Sequence, residues 1–125
     1  EDNGGIVVTY ENCSGAKSID KLVDENNPDV YDAIARRYLN IACSVMTPNP
    51  NRFELLGRLI DEYQVDGVID CSLMFCCLYD TEKLAVSEAL KAKNIPVLSL
   101  ETDYTDKDAE QLRTRIGAFV EMLNQ

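Results

Sequence analysis

The sequence contains no histidine. That absence removes the imidazole base of Ser-His-Asp and Cys-His hydrolases, together with every zinc site that needs a histidine ligand. Long apolar runs are missing too, and no basic leader precedes an apolar stretch with a small-residue cleavage site. These features predict a soluble, cytoplasmic protein with no membrane partner. Positive charge is scarce: 12 Lys and Arg stand against 22 Asp and Glu, the formal net charge is −10, and Arg36-Arg37 is the single basic cluster. A field of that sign opposes a nucleic-acid backbone, so no nucleic-acid partner is expected. An even cysteine count is also lacking. Five cysteines without a secretory leader argue against a disulfide framework and for reduced thiols with another purpose.

What is present is enough apolar material for one core. The 125 residues are 46% apolar, which predicts a single α/β domain over residues 1–125. Ile6 to Tyr10, behind Gly4 and Gly5, suits a buried strand. Ser18 to Tyr38 reads as helical in its second half, where Val30, Ile34 and Tyr38 recur on one face and Pro28 marks a break. Leu39 to Val45 is read as a second strand. Pro48 and Pro50 punctuate a loop, and Phe53, Leu56, Leu59, Ile60 and Tyr63 then outline an amphipathic helix with Asn51 as its cap. Asp66-Gly67 turns the chain into the strand VIDCSL, residues 68 to 73. Glu82 to Lys93 reads as a helix with Leu84, Ala85, Ala89 and Leu90 inward and basic residues at its negative end. VLSL, residues 97 to 100, follows Pro96. In the last helix Thr105 and Asp108 suggest a capping box, and Leu112, Ile116, Phe119, Val120 and Leu123 form the apolar face.

Four alternations of strand and helix predict a three-layer αβα architecture. The expected core is a four-stranded parallel sheet, flavodoxin- or Rossmann-like, in the order 2-1-3-4. Residue 1 stands only five positions before Ile6, which suggests a domain excised from a larger polypeptide.

In such a sheet the loops that follow the strands gather along one edge, where ligands bind. Cys13 follows the first proposed strand, Cys43 lies at or after the second, and Cys76 follows the third. Their separations, 30 and 33 positions, each approximate one strand-helix unit, so the three thiols are expected to share an edge. Structural zinc takes four protein ligands, and here only Cys77 could complete a set. An iron–sulfur cube is held by thiolates and can leave one corner open. Cys71 alternates with inward-facing residues of its strand and is expected in the core. Ser14-Gly15-Ala16-Lys17 lacks the full phosphate-binding pattern and reads first as a plain turn, with a flavin- or phosphate-binding module as the functional alternative. Asp20, Asp24 and Glu25 read as a solvated helix face. A non-catalytic interaction domain is a further alternative.

Four stretches carry a resemblance: ENCSGAK (11–17), RRYLNIACSVMTPNPNR (36–52), VDGVIDCSLMFCCLY (65–79) and IPVLSLETDYTDKDAEQLRTRIGAFVEML (95–123). Together they resemble the C-terminal lobe of the 2-hydroxyacyl-CoA dehydratase family, which includes the 2-hydroxyglutaryl-CoA dehydratase D-component, benzoyl-CoA reductase subunits and double-cubane cluster proteins. The resemblance implies a [4Fe-4S] or double-cubane cluster in the intact protein, with Cys13, Cys43 and Cys76 as metal ligands. Ser14, Ser44 and Cys77 would tune it by hydrogen bonding. It also implies a missing N-terminal lobe, an ATP-dependent activator donating low-potential electrons under anaerobic conditions, and a partner subunit or second copy of the chain.

In the dehydratases of this family the electron passes to an acyl-CoA thioester, giving a ketyl radical from which water is eliminated. Lyase activity, or a related ATP-dependent reduction, would therefore belong to the whole protein. The isolated domain would be inactive and would hold its cluster poorly. ENCSGAK and CSVMTPN resemble the double-cubane branch most, but where that branch carries histidine after the third strand's cysteine this chain has Cys77. That departure bears on cluster type and substrate.

Overall fold

VIDCSL and the segment after Pro96 form the strands that the sequence predicts for them. The structure, a computed structural model, describes residues 1–46 and 48–125. It is mixed α/β and divides into two compact units: Val8–Gln64, and Glu1–Val7 together with Val65–Gln125.

In the second of these, β1 (Val68–Leu73) pairs with β2 (Val97–Thr102) in parallel, from Val68 opposite Val97 to Leu73 opposite Thr102. A parallel pair needs a crossover, and α4 (Cys77–Ala92) supplies it. The ladder is closed at both ends: Val68 N–H donates to the Pro96 carbonyl at 2.9 Å and Met74 N–H to the Thr102 carbonyl at 2.7 Å. α4 packs Val86 and Leu90 inward, and full burial of such a side chain contributes about 1.5–3 kcal/mol. Polar contacts fix its start. Lys83 Nζ donates to the buried Ser72 Oγ at 2.8 Å, and Ser72 Oγ donates to Asp80 Oδ1 at 3.0 Å. Asn94, in the left-handed region at φ 60°, lets the chain leave the helix toward β2.

The last helix, α5 (Ala109–Leu123), buries Phe119 and half-buries Leu112, Ile116, Val120 and Leu123, the face read from the sequence. Gly67 is required here: a Cβ would stand 2.9 Å from both the Phe119 ring and Leu123 Cδ1. Residues 1–7 join the same unit, with Arg113 paired to Asp2 at 3.9 Å and the Gly5 position against Val120.

The unit Val8–Gln64 contains α1 (Ala16–Ile19), α2 (Val30–Leu39), a 3-10 turn at Ser44–Met46 and α3 (Pro50–Tyr63). Asp29, directly after Pro28, caps α2 by accepting from the N–H groups of Tyr31 at 2.9 Å and Asp32 at 3.2 Å. Ala42, Leu55 and Leu59 form the core of this unit, with Ala16 against them. Arg58 pairs with Asp20 and, at 2.9 Å, with Glu62.

Several expectations are corrected. Among the described residues the sheet has two strands, and the four-stranded, three-layer arrangement is not present. Ile6 to Tyr10 has no ladder partner and no regular structure; Ile6, Val7, Val8 and Tyr10 are exposed, and the Tyr10 carbonyl accepts from Ala16 N–H at 3.0 Å instead. Leu39 to Val45 is the end of α2 followed by irregular chain and the 3-10 turn, because Met46 N–H closes back on the Cys43 carbonyl. The stripe Val30, Ile34, Tyr38 is exposed, and Ala33 is the buried residue of α2.

α4 starts five residues before Glu82 and turns Glu82, Val86 and Leu90 inward, leaving Leu84 and Ala85 exposed. Asn49, not Asn51, precedes α3, where Pro50 supplies the preset φ of a first helical residue; the Asn51 side chain bonds Asn40. No capping box forms at α5, since Thr105 N–H donates to Asp103 Oδ1 at 2.6 Å. Cys71 is exposed, on the strand face opposite Ser72 with Ile69 and Leu73, because alternation here turns Ser72 rather than Cys71 inward.

Candidate functional site

ENCSGAK folds as a tight loop. The Asn12 side chain accepts from Ser14 N–H at 3.0 Å, Gly15 N–H donates to the Asn12 carbonyl at 3.1 Å, and Ser18 Oγ donates to the Gly15 carbonyl at 2.8 Å. Glycine is needed at position 15 by close approach: a Cβ would collide with the Tyr10 carbonyl oxygen and lie 2.9 Å from Asn12 Oδ1. Cys13 and Ser14 are exposed at the crest of this loop.

Cys43 lies in the same unit and is half-buried. Its N–H donates to the Ile41 carbonyl and its carbonyl accepts from Met46, both at 2.9 Å, so the thiol sits at the entrance of the 3-10 turn. Ser44, the next residue, is buried, and its hydroxyl accepts from Arg52 Nη1 at 3.0 Å. Arg52 Nη2 is 3.2 Å from Glu11 Oε2, and Lys17 Nζ is 3.7 Å from Glu11 Oε1. All three charged side chains are at least nine-tenths buried. Burial pushes the Glu11 carboxyl above its ordinary range, and the opposing pull of Arg52 and Lys17 does not fully offset it. The sequence reading missed Glu11 and Arg52, which are 41 positions apart and have no spacing signal.

Lys17 bears on the phosphate alternative. Its ammonium is buried against Glu11 rather than offered to solvent, so the turn lacks the cation that a phosphate cradle requires. In the same unit a cleft of about 170 Å³ is lined by Lys21, Leu22, Arg36 and Arg37 among others. That is below the roughly 300 Å³ of typical ligand pockets. Arg37 is also engaged, donating to the Lys21 carbonyl at 2.9 Å and the Ser18 carbonyl at 2.5 Å.

Cys76 and Cys77 belong to the other unit. Cys76 is half-buried at the cap of α4, its N–H bound to the Leu73 carbonyl at 2.9 Å and its carbonyl accepting from Asp80 N–H at 3.1 Å. Phe75 before it stands at φ 66°, a conformation costly for a bulky side chain, with its ring exposed. Cys77 is exposed and its thiol donates to the Phe75 carbonyl at 3.7 Å. Cys71 is a separate thiol: partial desolvation, with Asp70 and Asp108 outweighing Lys83, pushes its pKa up.

All five cysteines are free thiols, and the chain has no histidine. That donor chemistry fits an iron–sulfur cluster, which takes thiolate ligands, better than a mixed zinc site. Two of the three expected ligands share a unit and flank one buried ion group; the third lies in the other unit. Among the described residues no group of three or more Cys, Asp or Glu side chains is gathered closely enough to hold a metal ion. No helix among them is long and apolar enough to cross a membrane.

Residues 1–123 match the family model described as 2-hydroxyglutaryl-CoA dehydratase, D-component. The chain belongs to that family. It is 49% identical over 124 residues to the Escherichia coli (strain K12) protein named "Putative dehydratase subunit YjiM", covering 98% of this chain and 32% of that one. It is 27% identical over 124 residues to the (R)-phenyllactyl-CoA dehydratase beta subunit of Clostridium sporogenes, covering 98% of this chain and 33% of that one. A benzoyl-CoA reductase subunit of Thauera aromatica is also 27% identical, over 130 residues, 99% of this chain and 29% of that one. This dehydratase-family chain thus spans about a third of the length of the curated relatives it matches.

Proposed function

We propose that residues 1–125 act as the iron–sulfur-binding C-terminal lobe of a two-lobed dehydratase-family subunit. The family match over residues 1–123 carries this reading, together with the free thiols Cys13, Cys43 and Cys76 in stretches that resemble that family's. Those three side chains would hold a [4Fe-4S] or double-cubane cluster, with Ser14, Ser44 and Cys77 beside it. Bringing Cys76 to the other two is part of the proposal. When bound, the cluster supplies single electrons of low potential, received from an ATP-dependent activator.

This chain's own contribution is binding and orientation. The Asn12 and Gly15 turn presents Cys13, the 3-10 turn presents Cys43, and the start of α4 presents Cys76. The substrate class is a 2-hydroxyacyl-CoA undergoing dehydration, or a related small molecule undergoing reduction, bound with the help of the missing lobe and a partner subunit or second copy in the cytoplasm. Anaerobic reconstitution of the full-length protein with iron and sulfide should give about four irons per protomer for one ordinary cube. Cys13→Ala, Cys43→Ala and Cys76→Ala should each lower that content. Unchanged iron in all three variants would overturn the reading, and stoichiometric quenching of flavin mononucleotide fluorescence would favour a flavin module instead.

A further inference from the structure

One guanidinium touches both cysteine loops of the unit Val8–Gln64. Arg52 Nη1 donates to Ser44 Oγ at 3.0 Å, one residue after Cys43, and Nη2 lies 3.2 Å from Glu11 Oε2, two residues before Cys13. Its own N–H donates to the carbonyl of the buried Asn49 at 3.2 Å, tying the fork to the start of α3. Lys17 holds the second oxygen of Glu11 from within the Cys13 loop. Three segments with no ladder between them therefore meet at one planar, rigid group.

This arrangement is a poor way to gain stability. Desolvating three charged side chains costs several kcal/mol per ion, and apolar residues of similar volume often do as well or better. What a guanidinium adds over an apolar plug is direction: its fork fixes two acceptors in one plane at set separation. The two acceptors here belong to the segments carrying Cys13 and Cys43. The group also holds two cations against one carboxylate in a chain of formal charge −10, a local sign that suits an anionic occupant of these loops.

We propose that Arg52 is a positioning residue that, through Glu11 and Ser44, sets the separation and direction of the Cys13 and Cys43 thiols. What those thiols hold rests on the cluster-binding reading above; the clamp itself does not.

The test uses full-length protein carrying Arg52→Lys, which keeps the charge but cannot span both acceptors. With every cysteine other than Cys13 and Cys43 replaced by serine, spin labels on these two should give one narrow inter-label distance distribution by electron paramagnetic resonance. Arg52→Lys should broaden or split that distribution while circular dichroism still reports a folded chain. In protein with all its cysteines, reconstituted iron should be held about 10-fold more weakly against a chelator, the usual cost of losing a group that orients metal ligands. An unchanged distribution in folded Arg52→Lys overturns the proposal. Should that variant fail to fold, Glu11→Gln, which preserves side-chain size, decides by the same label measurement. If the cysteine variants keep their iron while the labels broaden, cluster binding fails and the clamp stands.

Discussion

The two units solve the same problem in different ways. Val65–Gln125, with residues 1–7, is organised by a backbone ladder: two parallel strands, a crossover helix and apolar burial at Val86, Leu90, Leu100 and Phe119. Val8–Gln64 has no strand among its described residues and a small apolar cluster, and its loops are joined instead by buried ions and side-chain hydrogen bonds. A ladder tolerates side-chain change so long as one face stays apolar. A clamp depends on individual atoms, so single substitutions within it should act more sharply than on the ladder.

The largest test of that contrast is Leu90→Ala. Leu90 is 2% exposed, and truncation of such a residue should cost about 2–5 kcal/mol. In urea unfolding followed by hydrogen exchange the loss should concentrate in β1, α4 and β2; equal loss across residues 8–64 would break the distinction. Gly15→Ala comes next. The added methyl meets backbone rather than a flexible side chain, so a penalty of about 1–3 kcal/mol is expected, read as faster exchange of the Ser14 to Ser18 amides. Asp29→Ala removes the acceptor for two N–H groups and should cost about 1 kcal/mol, seen as fraying of α2 by amide exchange.

The smallest effect is one in which the units should behave alike. Hydrogen bonds from Arg36 and Asn27 lower the pKa of Asp32, and hydrogen bonds from Thr105 lower that of Asp103. A carboxyl whose folded pKa is depressed adds stability above its unfolded pKa and loses it as pH falls through the folded value. Carboxyl titration by nuclear magnetic resonance should therefore place both groups below the ordinary aspartate value. An ordinary midpoint at either site would show that its hydrogen bonds do not persist in solution.

The sequence was most legible where local signals and burial agree. VIDCSL lies between Gly67 and the turn at Met74, VLSL follows Pro96, and the apolar stripe of α5 faces inward as its spacing requires. It misled where a signal was apolar but lacked a partner: the run Ile6 to Tyr10 looks like a strand, yet strand formation depends on an adjacent ladder that local composition does not specify. Cys71 was misplaced by one step of alternation. Family motifs identified Cys13, Cys43 and Cys76 as candidates and correctly named the family, while the Glu11–Arg52 contact was invisible because long-range ion pairing obeys no period. Ser44 stands beside Cys43 in the sequence, but no spacing there points to its partner, Arg52.

The packing of residues 1–7 against α5 has a consequence for biosynthesis. Asp2 meets Arg113, and the Gly5 position meets Val120, so residues 1–7 must wait for partners made more than a hundred positions later. The segment Val8–Gln64 can begin to order while residues 1–7 are still unpaired, and the other unit becomes whole only after α5 has emerged. A stalled nascent chain ending before Ala109 would thus leave β2 and residues 1–7 without the helix they pack against, which makes that interval the point at which a holdase would have most to protect.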